Sequence, residues 1–169
     1  MYTDKMEKII VDNNSIRSII NHRYGQNNKV IDVSDLDTSK CTNISCLFSG
    51  LVNLEEIKGF NMLNLCNVTN MSRMCDGCHS LERLNLSGLD LHNVKDMSRM
   101  CDGCHSLKEL DLSSVDLHNV TDMFDLCEGC CSLIDFKVDE QHHQKKSTYQ
   151  VLVYIMLIVY IVYAIIANR

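Results

Sequence analysis

Residues 67–81 read NVTNMSRMCDGCHSL, residues 93–107 read NVKDMSRMCDGCHSL, and residues 119–133 carry the decayed copy NVTDMFDLCEGCCSL. The interval of 26 also joins Leu84 to Leu110 to Phe136, Leu86 to Leu112 to Val138, and Gly77 to Gly103 to Gly129. A more diverged copy, IDVSDLDTSKCTNISCLFSGLVNL, runs to Leu54 with one extra residue before the next register point. A unit this short cannot bury its own apolar side chains, so near-identical neighbours must stack into a solenoid with one continuous interior. Four coils and a trailing strand are expected.

Within each coil, Leu81, Leu84 and Leu86 are followed by the same pattern at Leu107, Leu110 and Leu112, with polar Asn85 or Asp111 between the last two. Such alternation marks a short strand with one face inward. Asn70, Asp96 and Asp122 precede Met71, Met97 and Met123, where an oxygen-bearing side chain caps a helix start. Val68, Met71, Met74, Cys75 and Cys78 recur at steps near three or four, and Gly77 ends the segment, so a short helical turn is expected on the side opposite the strands. The fold class that follows is α/β: a short right-handed leucine-rich-repeat-like solenoid, with a parallel strand ladder on one side and helical turns on the other. Strands stack at about 4.8 Å whereas helices need about 8 to 10 Å, so the strand side should be concave. The outward strand positions, Arg83, Asn85, Glu109, Asp111, Asp135 and Lys137, are the candidate partner-binding residues, set against a plainer reading as solvated side chains.

The D-L-S of Asp111 to Ser113, the N-V-T-D-M from Asn119 and the G-C-x-S-L ending at Leu133 resemble the BspA-like leucine-rich repeat family, surface proteins with repeats of about this length. The resemblance covers residues 30–138. It implies a cell-surface adhesion or host-interaction role and brings no catalytic residues. The family favours Met-Phe before the small loop. Phe48 keeps that position, but Cys75, Cys101 and Cys127 replace it in the later coils, which implies a smaller pocket.

With net charge -6 and its Lys and Arg scattered, the chain lacks the basic stripe that attracts a phosphate backbone, so no nucleic-acid partner is expected. Six of its 10 cysteines form three CxxC pairs, and the spacing of Cys75, Cys78, Cys101 and Cys104 approximates a four-thiolate zinc site. The repeat accounts for them without metal, because a free thiol packs as a small apolar group and three pairs do not divide into fours. Disulfides between stacked coils are a further reading. The C-x-x-C-H runs ending at His79 and His105 also match haem attachment, yet a thin solenoid offers no room for a macrocycle, so no cofactor is expected. His92 and His118 recur in L-H-N-V and are read as solvated. Sequons fall at Asn13, Asn43, Asn67, Asn70, Asn85 and Asn119, most of them in the repeat's own wording.

Residues 1–29 carry Ile9, Ile10, Ile16, Ile19 and Ile20 near helical spacing and are expected to form a helical cap on the solenoid of residues 30–140. A polar linker, residues 141–150, leads to VLVYIMLIVYIVYAIIA, residues 151–167, which would span about 26 Å as a helix and is read as a single transmembrane segment, the lipid bilayer being one partner. Residues 1–8 alternate acids and bases without a leader's apolar run. That pattern, with Lys145 and Lys146 before the span, favours a tail-anchored domain on the cytosolic side, whereas the family resemblance favours the cell surface. The functional expectation is a membrane-anchored, non-enzymatic module for protein binding or adhesion. The alternatives are a zinc or redox protein built on the CxxC pairs, and a structural tether or eroded fragment of a surface protein. No nucleophile elbow, phosphate loop or acid pair supports an enzyme.

Overall fold

The computed structural model describes residues 7–138. Five strands, β2 (Val30–Asp32), β4 (Glu56–Lys58), β5 (Arg83–Leu84), β6 (Glu109–Leu112) and β7 (Asp135–Val138), lie parallel in chain order in one sheet. Two shorter strands, β1 (Ile9–Ile10) and β3 (Leu36–Asp37), form a second parallel pair. Leu84 stands beside Leu110 and Leu110 beside Phe136, so one step of the sequence interval is one rung of the ladder. The protein is a parallel-strand solenoid with one rung per coil.

The side opposite the sheet differs from expectation. It carries no helix; the helices of the described residues are α1 (Ile16–Tyr24) and a 3-10 turn at Phe60–Met62. In its place stand chained β-turns, closed by Met74 N–H to the Met71 carbonyl, Asp76 N–H to Arg73 and Cys78 N–H to Cys75, at 3.0 to 3.3 Å. Arg73 and Gly77 occupy the third position of two such turns with φ of 54° and 71°, and a left-handed residue every fourth position interrupts an α-helix. The alternate N–H groups of Met71, Arg73, Cys75 and Gly77 instead donate to Asp96, Ser98, Met100 and Asp102 of the next coil, at 2.8 to 2.9 Å. Stacking satisfies between coils what a helix satisfies within itself. Asn70 and Asp96 do accept a backbone N–H two residues on, from Ser72 and Ser98, but they start turns. With hydrogen-bonded ladders on both sides, the physical reason for a concave sheet face disappears.

A third side alternates Leu63 and Leu65, Leu89 and Leu91, Val115 and Leu117, all buried. The interior is one column set of leucine, methionine and cysteine, with Met71, Met74, Cys75, Cys78, Met97, Met100, Cys101 and Cys104 excluded from solvent. In the first coil Phe48 meets Phe60 edge-on at 6.1 Å and fills the volume that thiols occupy later.

The N-terminal end is closed by β1, which adds beside β3, and by α1, whose Ile16 and Ile20 are buried. Asn13 completes this end. Further along, Lys95 and Asp96 donate their N–H groups to the Thr69 carbonyl, and Thr121 and Asp122 to Lys95. At the first rung Thr42 and Asn43 donate to the Asn13 carboxamide oxygen at 2.8 and 3.0 Å, so a side chain stands in for the carbonyl of a preceding coil.

Gly59 tests this packing. Its φ is +71°, and a Cβ there would lie 2.6 Å from Ser34 Cβ and 2.8 Å from its backbone, whereas Gly50, at φ +78°, has nothing within 4 Å. Gly59→Ala is expected to cost about 2 to 4 kcal/mol, backbone strain plus overpacking, against about 1 kcal/mol for Gly50→Ala. Urea unfolding of the two variants checks the difference.

Among the described residues no helix is long and apolar enough to cross a membrane. Residues 151–167, read from sequence as a transmembrane segment, and the linker before them lie outside the described residues.

Candidate interaction surface on the outer sheet face

Period-two alternation turns every second strand residue to solvent, and parallel register lines these residues up between coils. Arg83, Glu109 and Asp135 form one such row, and Asp111 and Lys137 pair in the next. Lys137 Nζ lies 2.8 Å from Asp135 Oδ2, 3.2 Å from Glu109 Oε1 and 3.9 Å from Asp111 Oδ2. The hydrogen bonds to Asp135 and Glu109 hold its ammonium above the usual lysine range.

Asn85 and Asp111 do something else. The Asp111 carboxylate accepts the Ser113 hydroxyl at 2.6 Å and its N–H at 2.9 Å, and these bonds lower its pKa. Asn85 holds Ser87 in the same way, at 2.7 and 2.9 Å. Both side chains end a strand and turn the chain at the corner, so their recurrence has a structural cause. Arg83, Glu109, Asp135 and Lys137 remain as the charged group on the face.

A neighbouring column was missed from sequence. Lys29 pairs with Glu55 at 2.8 Å and Lys108 with Glu82 at 2.9 Å. The signal was available, since each pair is separated by one repeat interval, but it lay just outside the strand pattern. The pairs are exposed, where ion pairs stabilise by about 1 kcal/mol at most, so their consequence is the mixed charge they give the face.

Cys41, Cys75, Cys78, Cys101, Cys104 and Cys130 are buried, whereas Cys131 is exposed. Cys75 is hydrogen-bonded to Cys78, and the Cys78 thiol donates to the Phe48 carbonyl of the preceding coil at 3.1 Å. Cys101 and Cys104 repeat this onto the Cys75 carbonyl at 3.1 Å, and Cys130 reaches the Cys101 carbonyl at 3.0 Å. In each of the three CxxC coils the second thiol is thus engaged with a backbone carbonyl of the preceding coil. The bond to Cys78 and burial push the Cys75 thiol well above its ordinary range, Cys104 and burial do the same for Cys101, and burial raises Cys41 to about 11. All ten cysteines are free thiols. Among the described residues no three His, Cys, Asp or Glu side chains are gathered as metal ligands would be.

The C-x-x-C-H runs are split by the same packing. Cys75 and Cys78 are interior, whereas His79 is exposed and stacks on His105 with ring centroids 4.6 Å apart. His92 and His118 each hold their Nδ1 on the aspartate two residues earlier, Asp90 and Asp116, along an exposed corner.

The sequons have the same origin as the repeat. Asn67, Asn93 and Asn119 donate Nδ2 to the carbonyls of Ser39, Cys66 and His92, one coil back, at 2.7 to 2.9 Å. Thr69 and Thr121 hydroxyls donate to Thr42 and Lys95 carbonyls at 3.2 and 3.1 Å. N-V-T is therefore corner wording, with both polar side chains engaged between coils.

This geometry defines a class: a short parallel solenoid with a sulfur-rich interior, asparagine corners and a mixed-charge sheet face. Residues 15–138, from the first residue before α1 to the last of β7, match the family described as Mycoplasma protein of unknown function, DUF285, and the chain belongs to that family. No curated protein and no solved structure matches the chain.

Proposed function

We propose that this chain is a non-enzymatic recognition module, held at a membrane by residues 151–167 and presenting the outer sheet face to a protein partner. The observation that carries this reading is the division of labour among polar groups. Corner asparagines, strand-ending aspartates and interior thiols are engaged in holding the stack, which leaves Arg83, Glu109, Asp135 and Lys137 as a charged group of both signs on a rigid ladder. Alternating charge on a fixed frame favours partner choice and encounter rate over raw affinity. The 26-residue interval and the G-C-x-S-L wording support the finer assignment to BspA-like leucine-rich repeats, and with it an adhesive role. The uncharged run of 17 residues supports the anchor, since it is long enough for a slightly thin hydrocarbon core.

A photo-cross-linking side chain placed at Arg83 in the full chain, in its native membrane, should join a discrete partner. The same group at Ser114, on another side of the coil, should not. Equal products from both positions, or none from Arg83, would remove the sheet face as the site. Resistance of the full chain to alkaline carbonate extraction tests the anchor separately.

A further inference from the structure

We propose that the last coil is a self-association surface, on which β7 pairs antiparallel with β7 of a second copy to form a closed dimer. Two outward columns that are polar through the preceding coils turn apolar in the final one. Lys29, Glu55, Glu82 and Lys108 are followed by Ile134, which is 84% exposed. Ser45, Ser72 and Ser98 are followed by Phe124, which is 50% exposed. Interior columns change too: Val94, Met97, Leu107, Leu110 and Leu112 are fully buried, while Val120, Met123, Leu133, Phe136 and Val138 are only partly covered. Solenoids ordinarily end on a polar capping unit, because an open end exposes both apolar side chains and a row of backbone groups.

The backbone shows the same opening. Met97, Arg99, Cys101 and Gly103 donate their N–H groups to the last coil, at Asp122, Phe124, Leu126 and Glu128. The equivalent N–H groups of Met123, Asp125, Cys127 and Gly129 face the end of the stack, where no further described coil follows, and among the described residues β7 is the edge strand of the sheet at that end. The repeat itself stops here. One interval beyond Val115, Leu117 and Val120 stand Gln141, His143 and Lys146, so the chain's continuation lacks the interior residues of another coil.

A second copy supplies what the end lacks. If two β7 strands run antiparallel with Phe136 opposite Phe136, Asp135 of each copy faces Lys137 of the other on the outer side. The parallel alternative sets Asp135 against Asp135, and like charges directly opposite destabilise a strand pair. The opposite end of the solenoid is already closed by α1 and Asn13, so head-to-tail growth is blocked and the contact is isologous. End-to-end contact of two copies also covers Ile134, the most exposed large apolar residue of the described chain.

The test uses the full chain in non-ionic detergent, with the protein mass in the micelle measured by light scattering across a concentration series. The wild type should be dimeric, and Phe124→Ser with Ile134→Lys, which restore the polar columns, should weaken association about tenfold or more. Asp135→Lys or Lys137→Asp alone should weaken it, and the two together should restore it. A wild type monomeric at every concentration overturns the proposal. A dimer unchanged by Phe124→Ser with Ile134→Lys places association elsewhere, in the apolar segment 151–167 for example, and also overturns it. Failure of the paired charge reversal to recover the dimer while thermal melting remains cooperative rejects the antiparallel pairing.

Discussion

Excision of residues 84–109 should leave a protein that still folds and unfolds cooperatively, one coil shorter. The cut joins Arg83 to Leu110, two positions that neighbour one another's equivalents in register, and the new strand reads E-R-L-D-L. Each coil contacts only the next, so losing one removes its intrinsic term and one interface, and the urea m-value should fall by about a fifth with the surface lost. Excision of residues 84–110, one residue more, should behave differently. Asp111 then takes the inward place of Leu84, and every following strand residue shifts to the other face. Losing a buried leucine costs about 2 to 5 kcal/mol. Burying an unpaired carboxylate adds several more, which together approaches the whole stability of a domain this size, about 5 to 15 kcal/mol. Circular dichroism and urea titration of the two shortened chains would decide it. Similar cooperative transitions in both would mean that the 26-residue offset is not what stacks the coils.

Alkaline pH should unfold the chain early. The thiols of Cys41, Cys75, Cys101 and Cys127 are raised in the folded state, Cys41 to about 11 and the other three well above the ordinary value of 9.0. The sign follows from which state releases the proton first. Above pH 9 the unfolded chain ionises these thiols while the folded chain keeps them protonated, so the unfolded state binds fewer protons and is favoured as pH rises. Stability is complete below about pH 9 and falls by about 1.4 kcal/mol per thiol per pH unit above it, or about 5.5 kcal/mol for the four between pH 9 and 10 at the upper limit. For Cys41 the decline ends near pH 11; for the other three it continues. Urea midpoints at pH 7, 9 and 10 under reducing conditions check the slope. Cys75→Ala with Cys101→Ala should remove about half of it while lowering stability at pH 7 through the cavities left. A flat profile between pH 9 and 10 would mean that the thiols are not held protonated in the interior.

The repeat interval, the inward leucines and the strand positions were readable in advance because they depend on periodicity, which survives in a linear string. The turn side was misread for a definite reason. Val68, Met71, Met74 and Cys78 lie at steps of three and four, which is a helical period, but it is also the step of chained four-residue turns. What separates the two is whether an N–H bonds within its own coil or to the next one, and Met71 bonds to Asp96. The CxxC pairs invited metal and haem chemistry for a similar cause: spacing along the chain does not reveal that Cys78 aims its thiol at the Phe48 carbonyl while His79 turns out to solvent. Two of the six candidate face residues, Asn85 and Asp111, are corner residues, a role that N-L-S and D-L-S already spelled. Asn13 had no such signal, because its partners Thr42 and Asn43 lie about thirty residues away.

By itself the sequence determined that equal units must stack, at what interval, and which side chains share the dry interior, since burial of a short repeat has no other solution. Only the tertiary structure decided which backbone groups bond across coils, what closes the first rung, and that the last rung ends in Phe124 and Ile134. Those features depend on contacts between residues one interval apart, where a hydrogen bond's direction and a missing neighbour are set by three-dimensional stacking.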